Sequence, residues 1–362
     1  MSKYCFDEVS EKSLTATSKA RDDVTQILKE NGYEPIGFKC NYNNDLITAI
    51  LSALDVSKNV LKKIKSLNEN DIVVLQHPFN CYSNYLGYKI HKICKKKNIK
   101  SMVLIHDLDT LRYTNYHGFS KGKLYKAIFR DEISYLNQFS YIIVHNNEMK
   151  KYLIDSGLDE SKLYCLQIFD YLIENANTVD VYDEELKKSY KKVTIAGNLL
   201  QTKSKYVYLL NTLNTKSYTF ELYGINYSGT SNEFIHYNGA FKPEELPNKI
   251  RTGFGLVWDG DSLEKCSGDL GNYLRYNNPH KLSSYVACGI PVIVWKEAAM
   301  ADFVRDNKIG IVIDNLMELD KIFDNLTFNE YKKMKNNVSI IRNKVIYGKY
   351  LKNVVKRIES DM

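Results

Sequence analysis

The sequence predicts an α/β protein made of two Rossmann-like halves in tandem, each a parallel sheet covered by helices. Three observations lead there. The chain has 362 residues, more than one hydrophobic core ordinarily serves. Short apolar runs alternate with segments of helical periodicity, the pattern of a parallel sheet buried on both faces. That alternation stops in the acidic, polar stretch from Asp170 to Lys192 and then starts again.

In the first half, Tyr4 to Phe6 opens the sheet, Thr17 to Asn31 is helical and stops at Asn31-Gly32, and Pro35 to Phe38 is a short strand. Leu46 to Leu67 reads as a helix, Asp71 to Leu75 as a buried strand, Tyr85 to Lys97 as a helix and Ser101 to Ile105 as another buried strand. Helices at Lys123 to Asn137 and Asn147 to Ser156 flank the strand Tyr141 to Val144, and Leu163 to Ile168 closes the series. In the second half, strands are expected at Val193–Ala196, Tyr218–Tyr223, Phe234–Tyr237, Gly253–Trp258, Pro291–Trp295 and Ile309–Ile313. Helices fall at Lys203–Leu213, Pro243–Ile250, Pro279–Cys288 and Ala298–Asp306. The basic tail from Asn329 to Met362 is helical with a break near Tyr347-Gly348. The implied domains are 1–170, a linker 171–192, 193–345, and a terminal helix 346–362 that packs back on the first domain.

With 44% apolar and 26% charged residues the composition is that of a globular protein. No stretch approaches the roughly 18 uncharged apolar residues of a membrane span, and Met1 to Ser10 lacks the apolar core of a signal peptide, so a cytoplasmic location is expected. The seven cysteines form no CxxC pair, which argues against a zinc site or a disulfide framework. The net charge of +7 is concentrated partly in His91 to Lys97, a run that ends a helix and complements its dipole. Contact with a membrane surface is peripheral at most. Nucleic acid is not expected as a partner, because the 28 tyrosines are spread over the chain and not interleaved with one basic stripe.

Ligands of open parallel sheets gather beyond the carboxyl ends of the strands. The strongest such place is Asn277 to Glu297, which reads as helix, tight turn and buried strand. Pro279 starts the helix, Gly289 stops it, and His280 and Lys281 occupy its first turn, where uncapped N–H groups and the dipole attract an anion such as phosphate. The turn Gly197-Asn198 leads to Lys203, a further cation for a phosphate, and Tyr223 ends a strand with an aromatic able to stack on a base. His106 and Asp107 follow the strand ending at Ile105 and suit a general base or an orienting pair; the competing reading has Asp109 capping a turn and His106 bonded to the scaffold. Gln76 to Asn80 is a second acceptor loop. Asp107-Leu108-Asp109 and Asp259-Gly260-Asp261 have the spacing of a metal-diphosphate site, but with Lys281 at a helix start no metal is required, and none is expected. Asp259 to Asn278 reads as a mobile loop.

Gly253 to Trp258, Asn278 to Leu282 and Ala287 to Val294 resemble the donor half of GT-B glycosyltransferases. More narrowly, they are similar to the bacterial group containing the glucosyltransferase that extends glycans on serine-rich-repeat adhesins and the related galactofuranosyltransferases. Thr15 to Arg21, Ile105 to Asp107 and Tyr141 to Asn146 are similar to that group's first half. The resemblance implies two Rossmann-like domains facing a cleft, with a C-terminal helix crossing back. It implies transfer of a hexose from a UDP-sugar to a carbohydrate acceptor on a glycoprotein or surface polysaccharide, with no cofactor. It places Lys281 on the donor diphosphate, Tyr223 beside uridine, Thr17 or Thr15 on the loop reaching the donor, and Lys203 or Lys205 after the Gly-Asn turn. It also implies a homo-oligomer, a tetramer. Where the group often has a glycine-rich first turn, this chain has Ser10-Glu11-Lys12-Ser13.

Overall fold

The computed structural model describes residues 1–9, 16–39, 58, 60–78, 84–112, 132–173, 182–213 and 215–362. The first set of elements is β1 (Lys3–Val9), α1 (Ala16–Glu30), β2 (Glu34–Lys39), β3 (Ile72–His77), α2 (Asn84–Lys96), β4 (Lys100–Ile105), α3 (Asp109–Arg112), α4 (Glu132–Leu136), β5 (Tyr141–Val144), α5 (Asn147–Asp155) and β6 (Leu163–Cys165). The second is α6 (Asp183–Ser189), β7 (Lys192–Asn198), β8 (Thr219–Ile225), β9 (Ile235–Tyr237), α7 (Leu246–Lys249), β10 (Phe254–Val257), α8 (Gly268–Tyr273), α9 (His280–Ala287), β11 (Val292–Trp295), α10 (Ala301–Asn307), β12 (Gly310–Ile313), α11 (Glu318–Asn325), α12 (Phe328–Val345) and α13 (Lys349–Ser360).

The strands form two six-stranded sheets, ordered β2-β1-β3-β4-β5-β6 and β12-β11-β10-β7-β8-β9, and every pairing is parallel. The central strands read as continuous apolar runs because both faces are covered: β3, β10 and β11 are buried at every residue. Each sheet has one point where the chain order reverses, between β1 and β3 in the first and between β7 and β10 in the second. Such switch points open a crevice at the carboxyl ends of the strands.

The described residues fall into two compact units, 1–9, 21–166 and 351–362 in one, 16–20 and 167–350 in the other. The first core is apolar and built on Phe6, Val73, Leu75, Val103, Ile105 and Ile142. Residues of α13 belong to it: Glu359 accepts from Tyr33 and Lys3 at 2.7 Å each, and Lys352 pairs with Glu30 at 2.7 Å.

The tail is two helices broken at residues 346–348, as the Tyr347-Gly348 signal indicates, with Gly348 at φ 69°. The strand expected over Leu163 to Ile168 ends at Cys165, since Gln167 takes a left-handed φ of 76° that no strand accommodates. The helix expected over Lys203 to Leu213 is a 3-10 helix over Lys205–Thr212 with no side-chain cap. Within the expected linker lies α6, with three acidic residues in its first turn and two lysines in its last, a dipole-matched pattern. The segment from Asp259 to Asn278, expected as a mobile loop, contains α8. There Gly271 is packed so closely that a Cβ would come within 2.8 Å of the Asp259 carbonyl. Of the helices expected over Leu46 to Leu67 and Lys123 to Asn137, positions 58, 60–65 and Glu132–Leu136 are helical and residues 46–57, 59 and 123–131 lie outside the described residues. The same holds for residues 10–15, which carry Thr15 and the Ser10 to Ser13 turn, and for Phe79 and Asn80.

Candidate active site

In the second sheet the loops after β7 and β10 meet at the switch point, and α9 begins beside them. Gly197 and Gly224 pair across the ends of β7 and β8 with φ of 134° and 158°. A Cβ on Gly224 would fall on the carbonyl oxygen of Gly197, so glycine here is a packing requirement. A Cβ on Gly197 would stand 3.7 Å from Cε of Lys281. The carboxyl end of β7 therefore lies beside the Lys281 side chain.

The N-cap of α9 is Pro279, extended at ψ 132° and without a side-chain oxygen to accept from the first turn. The helix is anchored by Leu282, Tyr285 and Val286, all buried. Tyr285 reaches under β7, where its phenol oxygen accepts from the Ala196 N–H at 2.8 Å, and Gly255 makes room because any Cβ there would enter the Tyr285 ring. At the other end Gly289 takes φ 75°, Arg342 Nε donates to the Ala287 carbonyl at 2.8 Å and Lys335 Nζ to the Gly289 carbonyl at 2.8 Å. Burial pushes the Lys335 ammonium down to about 8, with Arg342 adding repulsion. Cations thus satisfy the negative end of α9, and its positive end faces the loops after β7 and β10.

Lys281 Nζ donates to Asp259 Oδ1 at 2.6 Å and to the Trp258 carbonyl at 3.2 Å. Both side chains of the ion pair keep about a fifth to a quarter of their exposure (24% and 21%), so the pair opens to solvent. Asp259 was legible in the sequence only as half of an Asp-x-Asp string; its pairing with Lys281 was not, because one follows β10 and the other sits in the first turn of α9, 22 residues later. The other carboxylate of that string, Asp261, bonds to the Ser267 hydroxyl.

Asn198 ends β7 and accepts at its side-chain oxygen from the Leu200 N–H and from Asn226, 3.1 Å each. Tyr223 is half-buried at the end of β8, its ring 6.2 Å from that of Phe241, and burial raises its phenol pKa. Lys203 and Lys205 are both exposed and form no ion pair among the described residues. His280 does not supply the second positive charge that its position in the sequence suggests. Its ring packs on Phe169 at 4.5 Å, and burial, with Lys19 nearby, lowers its pKa to about 4. At neutral pH the charge at this helix start is that of Lys281. Thr17 lies in the first turn of α1, and its side chain is outside the described residues.

His106 and Asp107 belong to the first unit, after β4. His106 is buried with Nε2 2.7 Å from Gln76 Oε1, an acceptor, so that nitrogen donates. Gln76 in turn donates to Thr25 Oγ1 at 3.1 Å. Asp107 pairs with Arg112 at 2.6 Å. One group that the sequence did not single out, Glu132, stands close by. Glu132 accepts from the Asp109 and Thr110 N–H groups at 3.1 and 3.0 Å, which caps α3, and lies 2.8 Å from His77 Nε2. Burial alone would raise the Glu132 carboxyl; the hydrogen bond and charge of His77 and the donors of Thr110 hold it below its ordinary value. Asp109 is pushed up to about 6 by burial and by the Glu132 and Asp107 charges, which outweigh His77 and Arg112.

The two halves of the chain match two family models, the glucosyltransferase 3-like N-terminal domain over residues 3–168 and the glucosyltransferase 3-like C-terminal domain over 193–358. Over 362 residues the chain is 30% identical to beta-1,6-galactofuranosyltransferase WbbI of Escherichia coli, covering 99% of each protein. The chain belongs to the glucosyltransferase 3-like family. A second relative is glucosyltransferase 3 of Streptococcus gordonii, 26% identical over 88% of this chain and 86% of that protein. Among solved structures, sucrose-phosphate synthase from Thermosynechococcus elongatus aligns over all of both chains with a TM-score of 0.63 at 9% identity, and an alpha-glucosyltransferase solved in complex with UDP aligns over 96% and 95% with a TM-score of 0.54 at 10% identity. At such identities the likeness is one of fold, and that fold is GT-B. This family member is a GT-B glycosyltransferase.

Proposed function

We propose that the enzyme transfers a hexose from a UDP-sugar to a carbohydrate hydroxyl, without a metal ion. The observation that carries this reading is the Lys281 ammonium at the switch point, held by Asp259 and the Trp258 carbonyl beside Gly197 and the uncapped start of α9. A departing nucleoside diphosphate develops negative charge, and a fixed ammonium with a helix N-terminus stabilises that charge more in the transition state than in the ground state. Tyr223 and Asn198 line the nucleoside end of the site, Lys203 reaches the phosphates, Thr17 matches the family's donor-side position, and His280 contributes as a neutral group. His106 or Asp107 orients or deprotonates the acceptor. The relatives named as a glucosyltransferase and a galactofuranosyltransferase, and the fold neighbour solved with UDP, support this donor class.

Calorimetric titration with UDP tests it. Wild type should bind with and without EDTA, and Lys281→Ala should lose affinity about tenfold or more, since a charge-assisted contact is worth about 1.5–3 kcal/mol. No binding to wild type, or binding abolished by EDTA, would refute the site. A galactofuranosyl donor is the second reading, favoured by the 30% identity over 99% of each chain; turnover of UDP-galactofuranose exceeding that of UDP-glucose would select it.

A further inference from the structure

Lys281 and Asp259 neutralise one another at 2.6 Å, at the place where the proposed reading puts a diphosphate. A diphosphate cannot take the full attraction of Lys281 while a carboxylate occupies it, and the two anions repel each other. Asp259 has an alternative donor within electrostatic range. Tyr206 is fully buried, its hydroxyl has no hydrogen-bond partner among the described residues, and after burial itself the Asp259 charge is what most raises its pKa. An orphan hydroxyl in a closed core is costly unless some state of the protein satisfies it. The Tyr206 N–H already donates to the Gly260 carbonyl at 3.4 Å, which ties the 3-10 helix after β7 to the loop carrying Asp259.

We propose that Asp259 is the resident counter-anion of Lys281, a positioning residue that holds the ammonium between turnovers, yields it to the donor diphosphate by turning to the Tyr206 hydroxyl, and takes it back as UDP leaves. The inference rests on the reading of Lys281 as the diphosphate ligand. No covalent bond changes in this exchange; one ion pair replaces another.

The test is UDP affinity by calorimetry and UDP release by stopped-flow fluorescence, on wild type, Asp259→Asn, Tyr206→Phe and Asp259→Asn in a Lys281→Ala background, with near-ultraviolet circular dichroism to verify folding. Asp259→Asn should bind UDP about three- to tenfold more tightly through slower release, the scale of one partly exposed charge pair. Tyr206→Phe should bind more weakly, and the effect of Asp259→Asn should fall below about twofold once Lys281 is gone. The opposite signs of the two single substitutions distinguish the exchange from a general structural role. Unchanged or weaker UDP binding by folded Asp259→Asn overturns the inference while leaving the donor site intact. Equal tightening with and without Lys281 overturns it as well. Failure of wild type to bind UDP overturns the underlying reading itself.

Discussion

Tyr285 joins α9 to the carboxyl end of β7 through one hydrogen bond, 2.8 Å from the Ala196 N–H. Its removal leaves a buried amide without an acceptor, so Tyr285→Phe should cost about 1–3 kcal/mol in urea unfolding. His280 sets an acid limit of its own. Its folded pKa of about 4 lies below the ordinary 6.5, so above pH 6.5 it adds no cost, and as pH falls toward 4 the unfolded chain takes up a proton that the folded one refuses. Stability should drop over that window by no more than about 3 kcal/mol, the ring retaining some exposure, and His280→Gln should flatten the drop in pH-dependent unfolding. Asp109 has the opposite sign. Its folded pKa of about 6 lies above the ordinary 3.8, so the folded state keeps its proton longer; stability falls as pH rises from 4 to 6, and the full penalty stands above 6. Asp109→Asn should therefore raise the melting temperature at pH 7.5 and lose that advantage below pH 4. The Lys281 helix start and the Tyr223 strand were legible, because local residue types define them, whereas the turn expected at Gly197-Asn198 comes later, since β7 runs on through Asn198 in register with β8. The neutrality of His280 was not legible, since it depends on Phe169, far away in sequence.

Among the elements, α9 is oriented by what satisfies its two ends. Arg342 and Lys335 come from α12 to donate to the carbonyls of Ala287 and Gly289 at its carboxyl end, and α12 starts with a capping box in which Thr327 and Glu330 bond each other's backbone. Arg342→Leu should cost about 1–3 kcal/mol by leaving the Ala287 carbonyl unpaired, and Thr327→Ala about 1 kcal/mol, both read from thermal unfolding. The Thr327-to-Glu330 spacing of the capping box is a local pattern, although the sequence alone placed the helix start at Asn329. The service of Arg342 to a helix 55 residues upstream was not legible, because nothing in a local pattern names a distant acceptor. The short helix α8 escaped for a related reason: its six residues carry too little periodicity to stand out from polar loop.

Taken whole, the molecule has its last helix in the first unit, with Leu351, Val355 and Ile358 buried. Deletion of residues 351–362 should expose that apolar surface and lower the thermal stability of the N-terminal unit, which differential scanning calorimetry would register as a lowered or separate transition. Among the described residues no helix is long and apolar enough to cross a membrane. The homo-oligomer expected from the family is a matter for light scattering, where a monomer mass would dismiss it.

By itself the sequence determined the two parallel sheets, the order of most elements and the location of a cationic helix start, because burial on both faces and the chemistry of helix ends leave their marks on neighbouring residues. The tertiary structure decided who meets whom. It gave Lys281 a carboxylate partner from the loop after β10, made His280 a neutral packing group, left the Tyr206 hydroxyl without a partner among the described residues and set Glu132 at the start of α3. These are consequences of chain segments brought together across sheet and helix, and their energies depend on distances and burial that no local run of residues encodes.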